Sequence, residues 1–588
     1  MLLKKIFNFP LLVVSVLLIY TSCTEEWLEP KPLSFYAPEN VYVDENGLRA
    51  ILPTLRKDLK REVYENQHWF MLEFASSDLA VSGDQPDYAN LTPSGSMYKY
   101  LSMFSDIYEF IKNTNVLISR IDDVEWKDAQ TRNAILSEAY FFRSYWYYRL
   151  VHSYGDVPWV GQEYGGAKLD FNTHSRWAIL DKIQSDMEFA VEWLPEQPSM
   201  GVPSKYAGHH LLTKIYLANS NFDKAIESAS TIINGPFALM DTRFGSTASD
   251  PSRNVLWDLH RVENKNLPQN TETIFTTIDR FEAPDEARSI GLYAARNYVP
   301  HWWSFPDSRG TAGVSSQSPQ ADTLGQGNHD VNANYFHSHG IWAEFGYDWE
   351  TTPDLRRADV NWIEMEEITY ADPQSPNFGE PVNQKYLASL ADTNYMWRSY
   401  PFYKTFMPPE LGRPTGRAVG GNGDWYIFRL AETYLLRAEA YYWKDQLSMA
   451  AADINKVRER AKAALISPDM VTIDYIFHER ARELYMEEPR HSEMVRVANI
   501  MARGNLNGYS LANFHEKNWY YDRVIRFNNW YETPKYSRRG GQQANISPFN
   551  VYWPIPQSVV TANTLGVINQ NLGYQGAENN VPPLETTE

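Results

Sequence analysis

The sequence predicts a mainly α-helical protein, a TPR-like scaffold of helical hairpins carrying a large loop-rich face suited to ligand binding. Three observations predict it. Apolar residues recur at helical spacing from about residue 46 to 234 and again from about 425 to 503. A pattern of large and small residues repeats between those two stretches. Residues 235–424 are rich in Gly, Pro, Ser, Asn and Trp and hold no sustained period.

The repeat is the most specific of the three. One copy carries Tyr216, Phe222, Ala225, Ala229 and Ile232, and the other Tyr441, Leu447, Ala450, Ile454 and Val457. The offsets are identical. A large residue, a turn and then an alanine is the packing pattern of a tetratricopeptide helix pair, because the missing side chain lets two helices approach closely. Most of that motif's Gly and Pro positions are absent, so a generic helical hairpin also fits. Either way, hairpins stacked side by side form the scaffold.

The N-terminus is read as a lipoprotein signal. Lys4 and Lys5 precede an apolar run from Ile6 to Tyr20, interrupted by Asn8, Pro10 and Ser15. Small Thr21 and Ser22 follow, then Cys23, the single cysteine of the chain. Cleavage before Cys23 would free its thiol for a lipid, and one cysteine permits no internal disulfide. Tyr20 departs from the aliphatic residue preferred at such a site. An ordinary secretory signal beside a stray cysteine is the competing reading. The run is too short for a span of about 20 apolar residues. The expected organisation is a signal peptide over 1–22, a lipidated tether over 23–45 and a body over 46–588. Pro30, Pro32 and Pro38 keep the tether out of helix. Within the body, 46–234 and 425–503 are helical, 235–424 is a loop-rich insert, and 504–588 is a C-terminal segment.

A net charge of −19 excludes the broad basic patch that nucleic acid demands, and a polybasic membrane-surface protein as well. The aromatic share is 14%, with 19 Trp and 38 Tyr. These rings pair an apolar face with a polar edge, which suits the C–H patch and hydroxyls of a sugar. Many of them also serve as helix-packing core.

Glu479, Glu483 and Glu487 are spaced i, i+4, i+8 on one helix face, and a glycosidase needs two carboxylates across a cleft. Arg480, Arg482, Arg490 and Arg496 are interleaved with them, so a structural ion-pair network is the better reading. His329, His337 and His339 sit in the loop-rich region with Asp330 and Glu344 nearby, without the helical spacing of a zinc motif. They are read as solvent-facing or satisfied histidines. The glycine-rich run from Gly416 to Asp424 lacks the ending of a phosphate loop and is read as a flexible entry to a helix at Phe428. No nucleophile elbow is present.

The candidate ligand-binding residues therefore lie in loops. Tyr298, Trp302 and Trp303 cluster in the run ARNYVPHWWSFPD, where Pro300 and Pro306 forbid a regular helix. Trp342, with Tyr347 and Trp349, follows in a second aromatic run. Asp78, Asp84, Asp87, Tyr88 and Tyr98 lie in and around the run SSDLAVSGDQPDY, and Arg398 offers a cation for hydroxyls.

Five segments together resemble the SusD/RagB family of Bacteroidetes outer-membrane lipoproteins. They are Ser137–Val160, with the turn Tyr154-Gly155-Asp156-Val157-Pro158; Lys205–Asn234; Ile427–Ala461; Glu479–Arg496; and Tyr552–Tyr574, with Trp553-Pro554-Ile555-Pro556 and Asn571-Leu572-Gly573-Tyr574. His491 stands where the family commonly has a bulky aromatic, and Glu493 where it more often has Asp. Thr24, Glu25 and Glu26 resemble the surface-export signal of such lipoproteins. The resemblance implies four TPR-like hairpins and a loop-rich face that captures an oligosaccharide as a lid over a SusC-like TonB-dependent transporter barrel. It also implies a lipid anchor at Cys23 in the outer membrane with the body exposed at the cell surface. The expected function is non-catalytic, with no cofactor, no metal and no nucleic acid. A peptide-binding lid keeps the fold and changes the cargo; a surface glycosidase is the rival from another class.

Overall fold

A computed structural model of the chain describes residues 41–64, 69–82, 91–95, 98–292, 305–314, 336–338, 353–389, 393, 396, 397, 399–407, 421–528, 531 and 545–587. The helices that build the scaffold are α1 (Leu52–Asp58), α2 (Phe70–Ala75), α3 (Tyr98–Arg120), α4 (Ala129–Tyr154), α5 (Arg176–Trp193), α6 (Lys205–Ala218), α7 (Phe222–Ile233), α8 (Leu430–Trp443), α9 (Leu447–Arg460), α10 (Ile473–Leu484), α11 (Arg490–Arg503) and α12 (Trp519–Phe527). Each packs on its neighbour in sequence along α3–α4–α5–α6–α7, and α7 then packs on α8, which pairs with α9 and α10. The scaffold is the predicted stack of helical hairpins.

Local chemistry starts and stops these helices. Asp128 caps α4 by accepting the Thr131 N–H at 2.7 Å, and Thr472 caps α10 through the Tyr475 N–H at 3.0 Å. The α4 chain leaves the helix at Gly155, whose φ of 71° is open to glycine. The predicted turn at Tyr154–Pro158 is thus a helix end that feeds a short strand.

Both repeat copies adopt one geometry. Tyr216 O accepts the Asn221 N–H at 2.8 Å, and Tyr441 O accepts the Gln446 N–H at 2.9 Å. The residues four beyond those tyrosines, Ser220 and Asp445, take left-handed φ values of 61° and 57°. Ala225 and Ala450 have no exposed surface. Identical offsets in sequence therefore became matching turns, each followed by a fully buried alanine of the kind that lets helices approach closely.

α4 is buried on nearly every side from Ile135 onward, which is why its apolar periodicity is weak and its sequence is aromatic all round. Phe141, Tyr145 and Trp146 pack against rings from several elements. A second core sits beneath the loop-rich region, around Leu256, Phe305, Ile363, Met365, Tyr370, Tyr400 and Tyr403.

Strands are few and short. β1 (Ala80–Ser82) pairs antiparallel with β5 (Phe336–Ser338), β2 (Val157–Pro158) with β3 (Thr173–His174), and β4 (Thr273–Thr277) with β6 (Trp425–Arg429). β6 corrects one expectation. Phe428 is in a strand rather than a helix, because Trp-Tyr-Ile-Phe pairs with the β-branched run of β4, and α8 begins at Leu430. The glycines ahead of it are also no mere entry loop at their described end. A Cβ on Gly423 would lie 2.6 Å from Val262 Cβ, so the backbone packs too closely for any other residue. No helix among the described residues is long and apolar enough to cross a membrane.

Candidate functional site

The carboxylate run resolves into a buried ion-pair network. Glu479 accepts from Arg356, Arg458 and Arg482, each at 2.7 Å. Glu483 accepts from Arg429 at 2.8 Å, from Arg460, and from Arg356 at 3.3 Å. Glu487 accepts from Lys404 at 2.6 Å and Arg429 at 2.7 Å. Burial alone would raise Glu479 and Glu483, but the guanidiniums beside them outweigh it and hold both carboxyls well below the usual range. All three residues are shielded from solvent. Glu487 is not on the same helix as the others. α10 ends at Leu484, Met486 turns the chain at φ 65°, and Glu487 reaches the network from that turn. The spacing reads true as a shared neighbourhood but not as a continuous helical face.

Asp78 is a correction. It is buried, with its carboxylate gripped by Arg490 at 2.8 Å on each oxygen and by Arg523 at 2.7 Å. Burial opposes its charge, and the two guanidiniums more than restore it, holding the carboxyl far below its ordinary value. A loop-like sequence hid an internal counter-ion, so Asp78 leaves the ligand-binding set.

Asp84, Asp87, Tyr88, Tyr298, Trp302, Trp303, Trp342 and Arg398 lie outside the described residues, as do Cys23, Tyr347, Trp349, His329 and His339. Tyr98 opens α3 and His337 lies in β5; neither side chain is described. What the structure describes is how the candidate segments are rooted. The Tyr298–Trp303 segment leaves at Leu292, whose N–H donates to Gly421 O at 2.8 Å. It re-enters at Phe305, a fully buried ring that packs on Trp397 at a centroid distance of 5.7 Å. Trp397 directly precedes Arg398, so the root of the Trp302–Trp303 run and the root of Arg398 meet at one contact. The segment with Asp84, Asp87 and Tyr88 leaves from β1, which pairs with the strand that leads to Trp342.

At the Leu292–Gly421 root the described residues form a cavity of about 410 Å³. Asp424 accepts from Asn266 and from Arg280, both at 2.7 Å, and from the Asp279 N–H at 3.1 Å. Asn422 donates to Asp279 at 2.7 Å. Phe281 shows a partly exposed ring at the rim, with the Arg288 guanidinium 5.2 Å from its centroid. Charged and amide groups beside a solvent-facing ring can hold hydroxyls and an apolar sugar face together. Sequence reasoning missed these residues. The run Asp279-Arg280-Phe281-Glu282 carried an aromatic among charges, but only the tertiary fold joins it to Asp424. No group of side chains able to hold a metal ion occurs among the described residues.

The architecture and the rooted loops define a class: helical-hairpin proteins with a loop-borne ligand face. Residues 309–574 match the model of the SusD family, and residues 55–217 match that of proteins described as starch-binding, associating with the outer membrane. The chain belongs to the SusD/RagB family. It is 27% identical over 236 residues to SusD-like protein P2 of Formosa agariphila, a match covering 39% of this chain and 46% of that protein. It is 23% identical over 526 residues to SusD-like protein P25 of the same organism, covering 82% of this chain and 89% of the relative. Among solved structures, surface glycan-binding protein A of Bacteroides thetaiotaomicron in complex with laminarihexaose superposes with a TM-score of 0.63 at 15% identity, over 90% of this chain and 99% of that one.

Proposed function

We propose that this protein binds oligosaccharides at the cell surface without cleaving them and delivers them to a TonB-dependent outer-membrane transporter. The observation that carries the reading is the common root of the aromatic Tyr298–Trp303 segment and Arg398 at the Phe305–Trp397 contact. On this reading the rings of that segment stack on the sugar and Arg398 takes its hydroxyls. Family membership supports it, since relatives of this fold include glycan binders. The ion-paired, buried state of Glu479, Glu483 and Glu487 supports binding without hydrolysis, because a glycosidase acid must meet its substrate. Cys23 carries the lipid that holds the body at the outer membrane, and a SusC-like barrel receives the cargo.

Two measurements test this. Calorimetric titration of a glycan panel should give one oligosaccharide ligand, and Trp302→Ala or Trp303→Ala should weaken it by about 1–3 kcal/mol, the scale of burying one large ring, with unchanged melting. Full affinity in both variants would remove the assignment of that loop. Cys23→Ser should release the protein from the membrane fraction; retention with an acyl label would end the anchor assignment.

A further inference from the structure

Another cavity, of about 340 Å³, is built from elements that the loop-rich face does not use. Gly155 ends α4, and Asp156 follows it into the cavity wall. Ser175 caps α5 through the Trp177 N–H at 3.2 Å, which sets Arg176 and Trp177 on the first turn. The C-terminal segment closes the space with Phe549, Tyr552 and the run Asn569–Leu572.

Most of the amides in these walls are already occupied by the fold. Asn571 donates to Tyr154 O at 2.9 Å and Trp553 O at 2.7 Å. Gln570 accepts the Ile555 N–H and donates to Ile555 O, both at 2.8 Å. They fix the walls in place. Two groups keep unused capacity. Asp156 Oδ1 takes the backbone N–H of Arg176 at 2.8 Å, and its Oδ2 has no hydrogen-bond partner among the described residues. Arg176 is 3% exposed and has no ion pair among the described residues. Its Nη1 donates to Tyr552 Oη at 2.8 Å, while Nε and Nη2 have no acceptor. A buried guanidinium N–H left without an acceptor is costly, so an acceptor brought by a ligand gains more here than at the surface.

The Trp177 ring already carries the Arg176 and Arg503 guanidiniums at 4.8 and 4.4 Å, but an acceptor carboxylate and a donor guanidinium in one cavity with the half-buried ring of Phe549 match one chemistry. Adjacent hydroxyls of a pyranose offer a donor and an acceptor together, and the ring's C–H face packs on an aromatic side chain. The size suits a single sugar unit. An acid sugar fits less well, because Asp156 lies there and Glu585 adds to the negative field. We propose that this cavity is a second carbohydrate subsite, taking one neutral pyranose through a vicinal diol held by Asp156 and Arg176. The proposal rests on the glycan-binding reading above and adds a site to it.

The test is saturation-transfer NMR and calorimetry on the full chain with methyl glucoside, methyl galactoside, methyl mannoside and glucuronate. At least one neutral glycoside should bind with millimolar affinity, and Asp156→Asn should weaken it about tenfold or more. Arg176→Lys, which keeps the charge and loses Nε and Nη2, should do the same. If melting shows that it does not fold, Asp156→Asn alone decides. The Trp302→Ala, Trp303→Ala double variant should lose the oligosaccharide of the loop face and keep this signal. If oligosaccharides bind but no glycoside signal responds to Asp156→Asn, the subsite is wrong and the glycan reading stands. If no sugar of any size binds, both fail. Preferred binding of glucuronate, strengthened by Asp156→Asn, would make the cavity an anion site and overturn the proposal.

Discussion

Asp78 shows how a single residue changes meaning between chain and fold. In sequence it belongs to a serine- and aspartate-rich run of the kind that lines surface loops. In the structure Tyr520 Oη donates to Ser76 O at 2.8 Å, Asn528 donates to Ser77 O at 3.0 Å, and Asp78 takes two guanidiniums. The run is a plug where α11 and α12 meet, and its polar groups are matched one by one. Replacing Asp78 with Ala leaves Arg490 and Arg523 without their shared counter-ion. Arg490 keeps Glu488 at 2.6 Å and Arg523 keeps Asp474 at 2.7 Å, so chemical denaturation should show a loss at the lower end of the range for breaking a buried pair, about 3 kcal/mol, while folded protein keeps its glycan affinity. Wild-type stability in that variant would refute the internal role. His491 is a second case. Its ring lies on Trp553 at 4.7 Å and 15° and meets Tyr520 edge-on at 5.2 Å, so the imidazole fills the aromatic place that the family resemblance led us to expect.

At the scale of elements, the repeat is the part of the sequence most directly translated into structure. α6–α7 and α8–α9 are two copies of one hairpin, and α7 packs against α8 where they meet. Ala225 and Ala450 carry the close approach within each copy, since neither shows any surface. A tryptophan at either position has no free volume to enter. We expect Ala225→Trp and Ala450→Trp each to lower stability by about 1–3 kcal/mol or more through overpacking, read as a drop in denaturation midpoint at constant slope. Unchanged midpoints for both would mean that the shared offsets are coincidental.

Buried titratable groups run through the scaffold as well as apolar cores, and that makes the molecule sensitive to acid. Burial lowers His491 and His209 from 6.5 to about 4 each. Between those values the unfolded chain binds more protons than the folded one, so stability rises with pH across that window. Their contribution is complete above about pH 6.5 and is lost as the pH falls towards 4. Glu479 and Glu483, held below their unfolded value by arginines, keep their contribution above about pH 4.5 and lose it as the pH falls through their depressed values. These four groups lower stability from pH 6.5 downward, and Asp58, raised by burial to about 7, opposes them over the upper part of that range. His491→Phe keeps the stack on Trp553 and removes one titrating group, and should reduce the loss between pH 6.5 and 4 by about 1–3 kcal/mol. An identical pH profile in that variant would show that His491 does not titrate across folding.

The sequence by itself determined the scaffold, because helical periodicity, cap residues and the spaced alanines act over neighbouring turns and need no distant partner. It also determined that the glutamates of 479–487 belong with arginines, since both stand in one short run. The tertiary structure alone decided which arginines. Arg356, Arg429, Arg458 and Arg460 arrive from other parts of the chain, and a charge has no spacing rule that points to a partner a hundred residues away. The same limit explains Asp78, whose counter-ions lie more than 400 residues on, and Phe428, whose strand exists only because Thr273–Thr277 supplies the other half of the ladder. It also explains the two cavities, where Asp424 meets Arg280 and Asp156 lies beside Arg176 and Tyr552. Local order is written in local residues; binding capacity arises where the fold brings distant polar groups together and leaves some of their hydrogen bonds unmade.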